Sequence, residues 1–316
     1  MNIIIPGLQD VFAAFRRIIN LVHCTPVLTS DNINELANAE LYFKCENLQK
    51  AGAFKFRGAC NALFAATDSE IHNGVATHSS GNFAQALSLA AKHRGVAAYI
   101  VMPENAPLVK KSAVKSYGAE ITFCKPTLEA REQTLDKVVE KTGAAFFDPY
   151  DNFDVICGQG TAAVELLHSI PELDVVMAPV GGGGLISGTA IAAKGINPKI
   201  RVYACEPSGA DDAYRSFKNK KFIPSKNPDT IADGLLTSLG KLTFPAIMKY
   251  VDDILLVDDQ KIIQAMQLIW ERMKIVVEPS SAVPLAALME NRHLFSGKKT
   301  GIILSGGNVQ LDKLPF

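Results

Sequence analysis

The sequence has no apolar run that approaches the ~18 residues a membrane-spanning helix requires. At the N-terminus, Ile3, Ile4 and Ile5 are followed at once by Pro6 and Gly7, and charged residues interrupt the next apolar stretch. No secretory signal peptide is therefore expected. The chain also has no internal repeat and no low-complexity tract.

Net charge is absent too, since 32 lysines and arginines balance 32 aspartates and glutamates. This balance gives no reason to expect nucleic acid or a membrane as a partner. The six cysteines include no C-x-x-C pair, so neither a zinc site nor a redox motif is predicted. Cys45, Cys124 and Cys205 lie in apolar, strand-like runs, where a free cysteine acts as a small hydrophobic residue. We therefore expect a reduced, cytoplasmic chain.

What the sequence does contain is a long alternation of short apolar strands and helices. Its 316 residues and 48% hydrophobic content suggest about two domains with sizeable cores. Such an alternation is typical of parallel βαβ units. It predicts an α/β fold with two open, mostly parallel twisted sheets and helices on both faces. The predicted strands are 41–45, 75–78, 96–101, 120–123, 144–147, 174–180, 200–205, 254–257 and 301–304.

The same pattern suggests how the chain divides into domains. Boundaries fall near residues 73 and 149, so residues 74–148 are expected to form a small domain inserted into a large one. The large domain would then consist of residues 1–73 and 149–316. The predicted helices are 8–22, 59–66, 82–93, 109–117, 128–141, 158–168, 185–194, 259–273 and 280–290.

The first chemical candidate is Lys55, which follows a predicted strand and has Phe54 before it and Phe56 after it. Aromatic neighbours desolvate an amine, which disfavours its charged form and lowers its pKa. An amine that is neutral near pH 7 is a nucleophile suited to a Schiff base. The alternative is a surface lysine whose stem covers the two rings while its amine stays in water.

A run of four glycines, residues 181–184, follows the predicted strand 174–180 and opens the next helix. Ligands bind at the carboxyl ends of the strands in open parallel sheets. Glycines let the backbone approach a ligand closely, and helix N–H groups bind anions, so this run is typical of a phosphate site. A tight turn between strand and helix is the alternative. No Gly-Lys-Ser/Thr follows, which excludes a Walker loop.

Three further strand ends carry polar groups. The loop 79–82, Ser-Ser-Gly-Asn, offers hydroxyls and helix N–H groups to a carboxylate, although an ordinary helix cap explains it equally well. Ser305 begins another polar glycine loop after the last strand. Glu206 and Asp212 present carboxylates that a hard divalent cation prefers, with a capped helix start as the alternative.

A lysine, a phosphate site and a neutral serine are the groups that pyridoxal phosphate (PLP) would use together. We therefore predict that the large domain binds this cofactor.

Seven motifs, in the same order along residues 25–308, then indicate a family. The chain resembles the serine racemases and the threonine/serine dehydratases, which are PLP enzymes of the tryptophan-synthase β-like fold (fold type II). The motifs are N-L-Q-K-A-G-A-F-K-F-R-G-A, S-S-G-N, V-G-G-G-G-L-I-S-G, E-P-S-G-A-D-D, T-I-A-D-G, E-P-S-S-A and L-S-G-G-N-V.

The resemblance implies roles for individual residues. Those that would bind the cofactor are Phe54, Lys55, Asn82, Gly181, Gly182, Gly183, Gly184 and Ser305. Those that would bind the substrate are Ser79, Ser80, Gly81, Asn82, Arg131 and Thr237. Those that would bind a divalent cation (Mg²⁺ or Ca²⁺, or else Mn²⁺) are Glu206, the carbonyl of Ala210, and Asp212. A homodimer is the assembly that the family suggests.

Lys55 and Ser80 are the catalytic residues that the resemblance implies. Lys55 would remove the Cα proton, and loss of the β-hydroxyl would then give a 2-oxo acid and ammonia. Ser80 stands where many plain dehydratases have alanine, and it would exchange a proton with Cα from the opposite face. Bases on both faces are what racemisation needs. A neutral Ser305 would leave the ring nitrogen unprotonated. The resemblance thus implies serine racemisation together with dehydration of L-serine and L-threonine.

The sequence departs from the family pattern at four positions. Phe83 replaces a usual histidine, Ala84 a common glycine, and Tyr150 an asparagine of the mammalian-type racemases. Asp31 replaces a serine of their ATP effector pocket, where a carboxylate would repel a nucleotide phosphate. Other residues of that pocket are retained, so ATP as an effector is left open: Lys50, Gln85, Tyr117, Lys274 and Asn308.

Three alternatives remain compatible with the sequence. One is a plain threonine/serine dehydratase, and another is a 3-hydroxyaspartate dehydratase in which Arg131 would bind the extra carboxylate. The third is a catalytically silent nucleotide-binding or scaffold protein, in which Lys55 has no role. The sequence does not rank the substrates, because one β-substituent changes discrimination by only ~1–3 kcal/mol.

Overall fold

The computed structural model of the protein describes residues 3–79, 81–106 and 108–316. Within these ranges, no helix is both long enough and apolar enough to cross a membrane. The described strands are β1 (Val27–Leu28), β2 (Glu40–Cys45), β3 (Val75–His78), β4 (Ala98–Pro103), β5 (Glu120–Cys124), β6 (Ala145–Phe146), β7 (Val175–Pro179), β8 (Arg201–Pro207), β9 (Asp253–Val257) and β10 (Lys299–Leu304).

Helices connect these strands and follow most of the predicted positions. They are α1 (Leu8–Ile18), α2 (Asp31–Ala37), α3 (Lys55–Ala65), α4 (Asp68–Ile71), α5 (Asn82–Arg94), α6 (Leu108–Ser116), α7 (Leu128–Thr142), α8 (Phe153–Ser169), α9 (Gly184–Ile196), α10 (Asp212–Asn219), α11 (Thr243–Tyr250), α12 (Asp259–Met273) and α13 (Pro279–Glu290). Short 3₁₀ turns include Ser208–Ala210 and Asp233–Leu235.

The larger sheet has six strands in the order β1-β2-β10-β7-β8-β9. All neighbours are parallel except β1, which runs antiparallel to β2. Successive residues of β10 point to opposite faces: Ile302 packs with α12 and α13, and Ile303 packs with α8 and α9. Every residue of β7 is buried, as expected for a parallel strand covered by helices on both sides.

The smaller sheet has four parallel strands in the order β5-β4-β3-β6, and all of them lie within residues 75–146. The predicted α/β class with two open, mostly parallel sheets is therefore confirmed. Helix α3 packs against α5, beside the smaller sheet, and against α8, beside the larger one. Side chains of both regions share one core, which includes Phe56 and Leu63 of α3 and Phe83 and Leu87 of α5. The inserted-domain boundaries stay a prediction.

Close packing of α8 on α9 fixes where the glycine run lies. A side chain at Gly188 would overlap the backbone of Ile156 and Gly160, so the two helices touch through their backbones. Because α9 follows β7 directly, this contact holds the loop 181–184 at the carboxyl end of the sheet. The sequence pattern did not predict β1, α2, α4, α10 and α11, because elements of two to eight residues are too short for a clear period.

Candidate active site

A cavity of about 400 Å³ opens at the carboxyl ends of strands from both sheets. This is where ligands bind in open parallel sheets. Of the residues predicted to bind cofactor or substrate, only Ser80 falls outside the described residues. The others line this one cavity: Phe54, Lys55, Ser79, Gly81, Asn82, Arg131, Gly181, Gly182, Gly183, Gly184, Thr237 and Ser305.

Lys55 is the first residue of α3 and projects its amine into the cavity. Its Nζ donates a hydrogen bond to the carbonyl of Pro149 at 2.8 Å. Burial lowers the pKa of this amine to about 8, although the carboxylates of Asp148 and Glu278 act in the opposite direction. An amine with this pKa is far more often neutral at pH 7 than an ordinary lysine, whose pKa is near ~10.4.

The aromatic surroundings of Lys55 differ from the prediction in one respect. Its Nζ lies 5.2 Å from the ring centre of Phe54, as expected, but the second ring is Phe83 at 5.7 Å. Phe56 is fully buried and faces Lys50 instead. The cause is the start of α3 at Lys55: residues one apart project about 100° apart around a helix, so Phe56 turns away. The phenylalanine at the usual histidine position thus contacts the lysine.

The glycine loop is shaped by close contacts on every side. Gly183 has φ +89°, a conformation that side chains rarely adopt, and a Cβ at Gly181 would lie 2.8 Å from the Leu235 Cα. A Cβ at Gly182 would overlap the ring of Tyr150. The Thr243 hydroxyl donates to the Gly182 carbonyl at 2.8 Å, and α9 begins at Gly184. The free N–H groups of the first turn of α9 therefore face the cavity over a surface without side chains.

Ser305 lies at the far end of β10 and is buried with its hydroxyl 3.1 Å from that of Ser281. Ser281 donates its own proton to the Gly306 carbonyl and accepts from the Gly306 N–H, both at 2.6 Å. Either hydroxyl can be the donor in the contact between them, so the Ser305 proton can also turn towards the cavity. Ser305 thus presents a neutral hydroxyl to the cavity, whose lining also includes the carboxylate of Glu278.

The amide of Asn82 is held on both of its atoms. Its Nδ2 donates to the carboxylate of Glu278 at 2.8 Å, and its Oδ1 accepts from Nδ2 of Asn308 at 3.0 Å. Glu278 is buried, and burial together with nearby Asp233 raises the pKa of its carboxyl to about 7. Nδ2 also lies 3.1 Å from the second carboxylate oxygen of Glu278, and together these contacts fix the orientation of the amide at the cavity wall.

The family of the chain follows from a direct comparison. A sequence model of pyridoxal-phosphate dependent enzymes matches residues 18–306. The chain belongs to this family. The cofactor that the lysine, glycine loop and serine predicted is the family's own, and the predicted fold type II is confirmed.

Relatives extend the comparison over the whole chain. The serine racemase of Dictyostelium discoideum is 54% identical over 312 residues, which cover 97% of this chain and 96% of that protein. The β-hydroxyaspartate dehydratase of Paracoccus denitrificans is 50% identical over 312 residues, covering 99% of both proteins. A solved T.th. threonine deaminase is 42% identical with a TM-score of 0.92, and the match covers 97% of this chain and 99% of that one. The resemblance predicted from the sequence is confirmed.

The residues that line the cavity have the chemistry that PLP, the cofactor of this family, requires. The loop 181–184 offers N–H groups over a surface that any Cβ would obstruct, which suits a phosphate. Lys55 supplies an amine of lowered pKa, and Ser305 supplies a hydroxyl that can meet a ring nitrogen. Each of these groups comes from a different element, and all of them line the same cavity.

The predicted cation ligands lie outside the residues that line the cavity. The carboxylate of Glu206 accepts hydrogen bonds from the N–H groups of Ala213 and Tyr214 at 2.9 and 2.7 Å, so it caps α10. Both carboxylate oxygens of Asp212 are sealed from solvent and find no hydrogen-bond partner among the described residues. Burial raises the pKa of Glu206 to about 9 and that of Asp212 to about 6.

These two acidic residues fit a cation only together with main-chain oxygen. Among the described residues, no three His, Cys, Asp or Glu side chains gather around a common point. Ala210, whose carbonyl is the third predicted ligand, is buried in the 3₁₀ turn that lies between the two acidic residues in the sequence. Carboxylates and a carbonyl form the donor set of a hard cation such as Mg²⁺ or Ca²⁺.

Sequence reasoning did not identify every contact of the site, and four of the missed residues hold or cover predicted ones. Glu278 and Ser281 hold Asn82 and Ser305, Tyr150 covers the glycine loop, and Phe83 contacts Lys55. Glu278 and Ser281 both belong to the motif E-P-S-S-A, which was used only for the family resemblance. That motif opens α13 beside the cavity, and its polar residues were the available signal.

Proposed function

We propose that the protein interconverts L- and D-serine and also dehydrates L-serine and L-threonine to a 2-oxo acid and ammonia. The observation that carries the proposal is one cavity that combines the Lys55 amine, the glycine loop and Ser305. The full-length similarity to a serine racemase and to a threonine deaminase supports both activities. When bound, PLP would supply an electron sink for negative charge that develops at the substrate Cα.

Lys55 is proposed to carry the aldehyde of PLP and to act as the base on one face of the substrate. Its pKa of about 8 lets the amine accept a proton and return it near neutral pH. The Pro149 carbonyl, at 2.8 Å from Nζ, keeps the amine in the cavity when it is not bound to the cofactor.

The start of α5 is proposed to bind the substrate carboxylate. Ser79 and Gly81 line the cavity immediately before this helix of 13 residues, whose first N–H groups have no partner within the helix. A carboxylate there would interact favourably with the positive end of the helix dipole. This orientation would bring Cα close to Lys55.

Ser305 is proposed to keep the pyridine nitrogen of PLP neutral. A hydroxyl donates a hydrogen bond to the nitrogen without transferring its proton, unlike a carboxylic acid. The electron sink is then moderate, which suits a substrate whose β-hydroxyl can leave as soon as the Cα proton is removed. Ser281, which fixes Ser305, would serve the same role indirectly.

One experiment tests the function as a whole. The purified protein with PLP would be given L-serine, D-serine, L-threonine and L-threo-3-hydroxyaspartate, with ammonia and the two enantiomers of serine measured separately. We expect D-serine to form from L-serine, and ammonia to be released from L-serine and L-threonine. Absence of any serine inversion, with ammonia still released, would identify the protein as a plain dehydratase.

Ser80 is proposed as the second base, on the face opposite Lys55. Ser80→Ala is expected to lower the rate of serine racemisation by about 10²-fold or more, because a positioned acid–base group contributes ~10²–10⁴-fold. Ammonia release from L-serine should change by less than about tenfold, since it needs only the proton removed by Lys55. Retention of that activity shows that the variant is folded. Unchanged racemisation in Ser80→Ala would contradict the two-face scheme.

A divalent cation is proposed to bind between Glu206, the Ala210 carbonyl and Asp212. A ligand that binds only the folded state stabilises it, by ~2.7 kcal/mol when its concentration is 100 times its Kd. Addition of Mg²⁺ or Ca²⁺ to chelator-treated protein should therefore raise its melting temperature, and Glu206→Gln should remove the rise. The control is Asp211→Asn, because Asp211 pairs with Arg215 at 2.8 Å and belongs to a surface ion pair. If the cations raise the melting temperature of Glu206→Gln and of wild type equally, the cations bind elsewhere.

Dehydration of 3-hydroxyaspartate is a second candidate function. Arg131, in the first turn of α7, lines the cavity, and no carboxylate of the described residues lies within ion-pair distance of its guanidinium. An unpaired guanidinium in a half-enclosed site suits a second carboxylate on the substrate. The 50% identity to a β-hydroxyaspartate dehydratase supports this activity beside the first.

A homodimer in the cytoplasm is the proposed assembly and location. The six cysteines are all free and five of them are buried, which suits a reducing compartment. The dimer rests on the family resemblance alone, and sedimentation or light scattering of the purified protein would measure it directly.

The sequence leaves ATP open as an effector, and we propose that the activity does not depend on it. Two of the side chains expected around a nucleotide already have partners, since Lys50 donates to the Leu21 carbonyl and Asn308 donates to the Ala51 carbonyl and to Asn82. The exposed carboxylate of Asp31 would further repel a phosphate.

A further inference from the structure

His78 is a cavity residue that neither proposed activity has used so far. It is the last residue of β3, directly before the loop 79–82, and its ring lines the cavity. The imidazole stacks on the ring of Phe146 in the neighbouring strand β6, with centres 5.9 Å apart and planes 16° apart. The stacking on Phe146 and the position of His78 in β3 together restrict the orientation of the imidazole ring.

The two nitrogens of His78 have different surroundings. Nδ1 is sealed from solvent and has no hydrogen-bond partner among the described residues. A buried N–H without an acceptor is rare and costly, so the proton of a neutral ring belongs on the other nitrogen. Since the ring is half-buried and lines the cavity, Nε2 is the nitrogen that it can present there. His78 would thus offer an N–H donor to whatever occupies the cavity.

Protonation of the ring is disfavoured for the same reason, because an imidazolium would place a second N–H at the sealed Nδ1. The pKa of His78 is lowered by burial and, next, by the positive charge of Arg131. The ionisable groups around the ring are Arg131, Glu132 and Asp136 of α7, and Asp148 after β6. The three carboxylates act in the opposite direction, but the net shift is downward.

We propose that His78 and Arg131 together bind the second carboxylate of a dicarboxylic substrate, with the Nε2–H group of His78 donating one hydrogen bond. His78 is thus a residue that determines specificity for the substrate class. This inference rests on the second activity proposed above, the dehydration of 3-hydroxyaspartate. Arg131 supplies the charge, and the neutral ring supplies a directed donor that a monocarboxylic substrate such as serine does not need.

The test compares two substrates in matched variants of the full-length, PLP-loaded enzyme. His78→Phe keeps an aromatic ring to stack on Phe146 but removes the donor, whereas His78→Gln restores an N–H near the position of Nε2. We expect His78→Phe to lower kcat/KM for L-threo-3-hydroxyaspartate by about 10- to 100-fold, the usual value of a hydrogen bond to a charged group. For L-serine, kcat/KM should change by less than about threefold, and His78→Gln should recover most of the loss.

Two measurements do not depend on turnover. Succinate, which has two carboxylates and no amine, should bind His78→Phe about 10- to 100-fold more weakly than wild type in calorimetry. Nitrogen-15 spectra of the histidine rings should show His78 as the neutral tautomer with its proton on Nε2 at pH 7. An imidazolium, or a proton on Nδ1, would overturn the inference.

The remaining outcomes separate this inference from the activity on which it rests. If Arg131→Met selectively loses 3-hydroxyaspartate turnover while His78→Phe loses neither substrate, the second activity stands and the role of His78 is wrong. An equal loss of both substrates in His78→Phe also overturns it, since that result indicates a purely structural residue. If wild type neither binds succinate nor releases ammonia from 3-hydroxyaspartate but still converts L-serine, the second activity is wrong and this inference falls with it.

Discussion

Replacement of Lys55 by alanine is expected to lower both serine racemisation and ammonia release by about 10⁴-fold or more. Removing a residue that acts both as the covalent anchor and as the base disables two functions at once, and losses of this size are usual for such residues. The variant should also lack the yellow absorbance that a lysine-bound PLP gives. Lys55→Arg should be as inactive, because a guanidinium keeps the charge but is not a nucleophile near neutral pH.

The pH dependence of PLP uptake supplies a sharper test of the same residue. Only the neutral amine reacts with an aldehyde, and burial lowers the pKa of Lys55 to about 8. The rate of covalent PLP uptake by the apoprotein should therefore rise as the pH increases from 6.5 and should level off above about 8.5. A solvated lysine would give a rate that continues to rise towards pH 10.

A matched control for Lys55→Ala is Lys249→Ala. Lys249 also lies against an aromatic ring, that of Tyr250 at 4.8 Å, but it is exposed on α11 and away from the cavity. This variant should keep its yellow colour, its activity and its melting temperature. If Lys55→Ala and Lys249→Ala behaved alike, the catalytically silent alternative would be the better description of the protein.

Local patterns predicted the parts of the site that are continuous in the sequence. The glycine run, the loop 79–82 and Lys55 each follow an apolar strand, and parallel strands bring their carboxyl ends to one edge. That is why residues as distant as 55 and 305 could be assigned to one site before the structure was known. The strands themselves were predictable because buried parallel strands are short apolar runs between helices.

Contacts between distant segments were not predictable in the same way. Asn82 and Glu278 are 196 residues apart, and nothing near either one in the sequence indicates the hydrogen bond between them. The error at Phe56 has a local cause, because the prediction treated Phe54, Lys55 and Phe56 as one extended loop when Lys55 already begins a helix. Phe83 could replace it as the second ring only because α5 packs on α3.

A buried cluster of charges beside Lys55 was also invisible in the sequence. Arg57, fully buried, donates from Nε and Nη2 to Glu46 at 2.7 and 2.9 Å, and from Nη1 and Nη2 to Glu165, both at 2.7 Å. Lys44 completes the cluster with a bond of 2.6 Å to Glu165. Two cations and two carboxylates thus join β2, the start of α3 and α8, with no net charge.

Arg57→Met is expected to destabilise the protein by about 3–5 kcal/mol, because it leaves two buried carboxylates with one cation. For a chain of this size the melting temperature should fall by roughly 5–15 °C, which circular dichroism would measure. The control is Lys261→Met, which breaks the ion pair between Lys261 and Glu290. Because these two side chains are 39% and 44% exposed, this change should lower the free energy of unfolding by less than about 1 kcal/mol. A loss in Arg57→Met no larger than that of the control would contradict this account of the cluster.

The origin of the loss can be separated from the size of the side chain. If unpaired charge is the cause, adding Glu46→Gln to Arg57→Met should recover part of the stability, since Lys44 and Glu165 then remain as a balanced pair. If lost packing were the cause, the added change would lower the stability further. Recovery of stability without recovery of activity would be the most informative result. Arg57 lies two residues after Lys55 on the same helix. A variant that is stable but has a displaced α3 would therefore be folded and would still misplace the Lys55 amine that the proposed reaction needs.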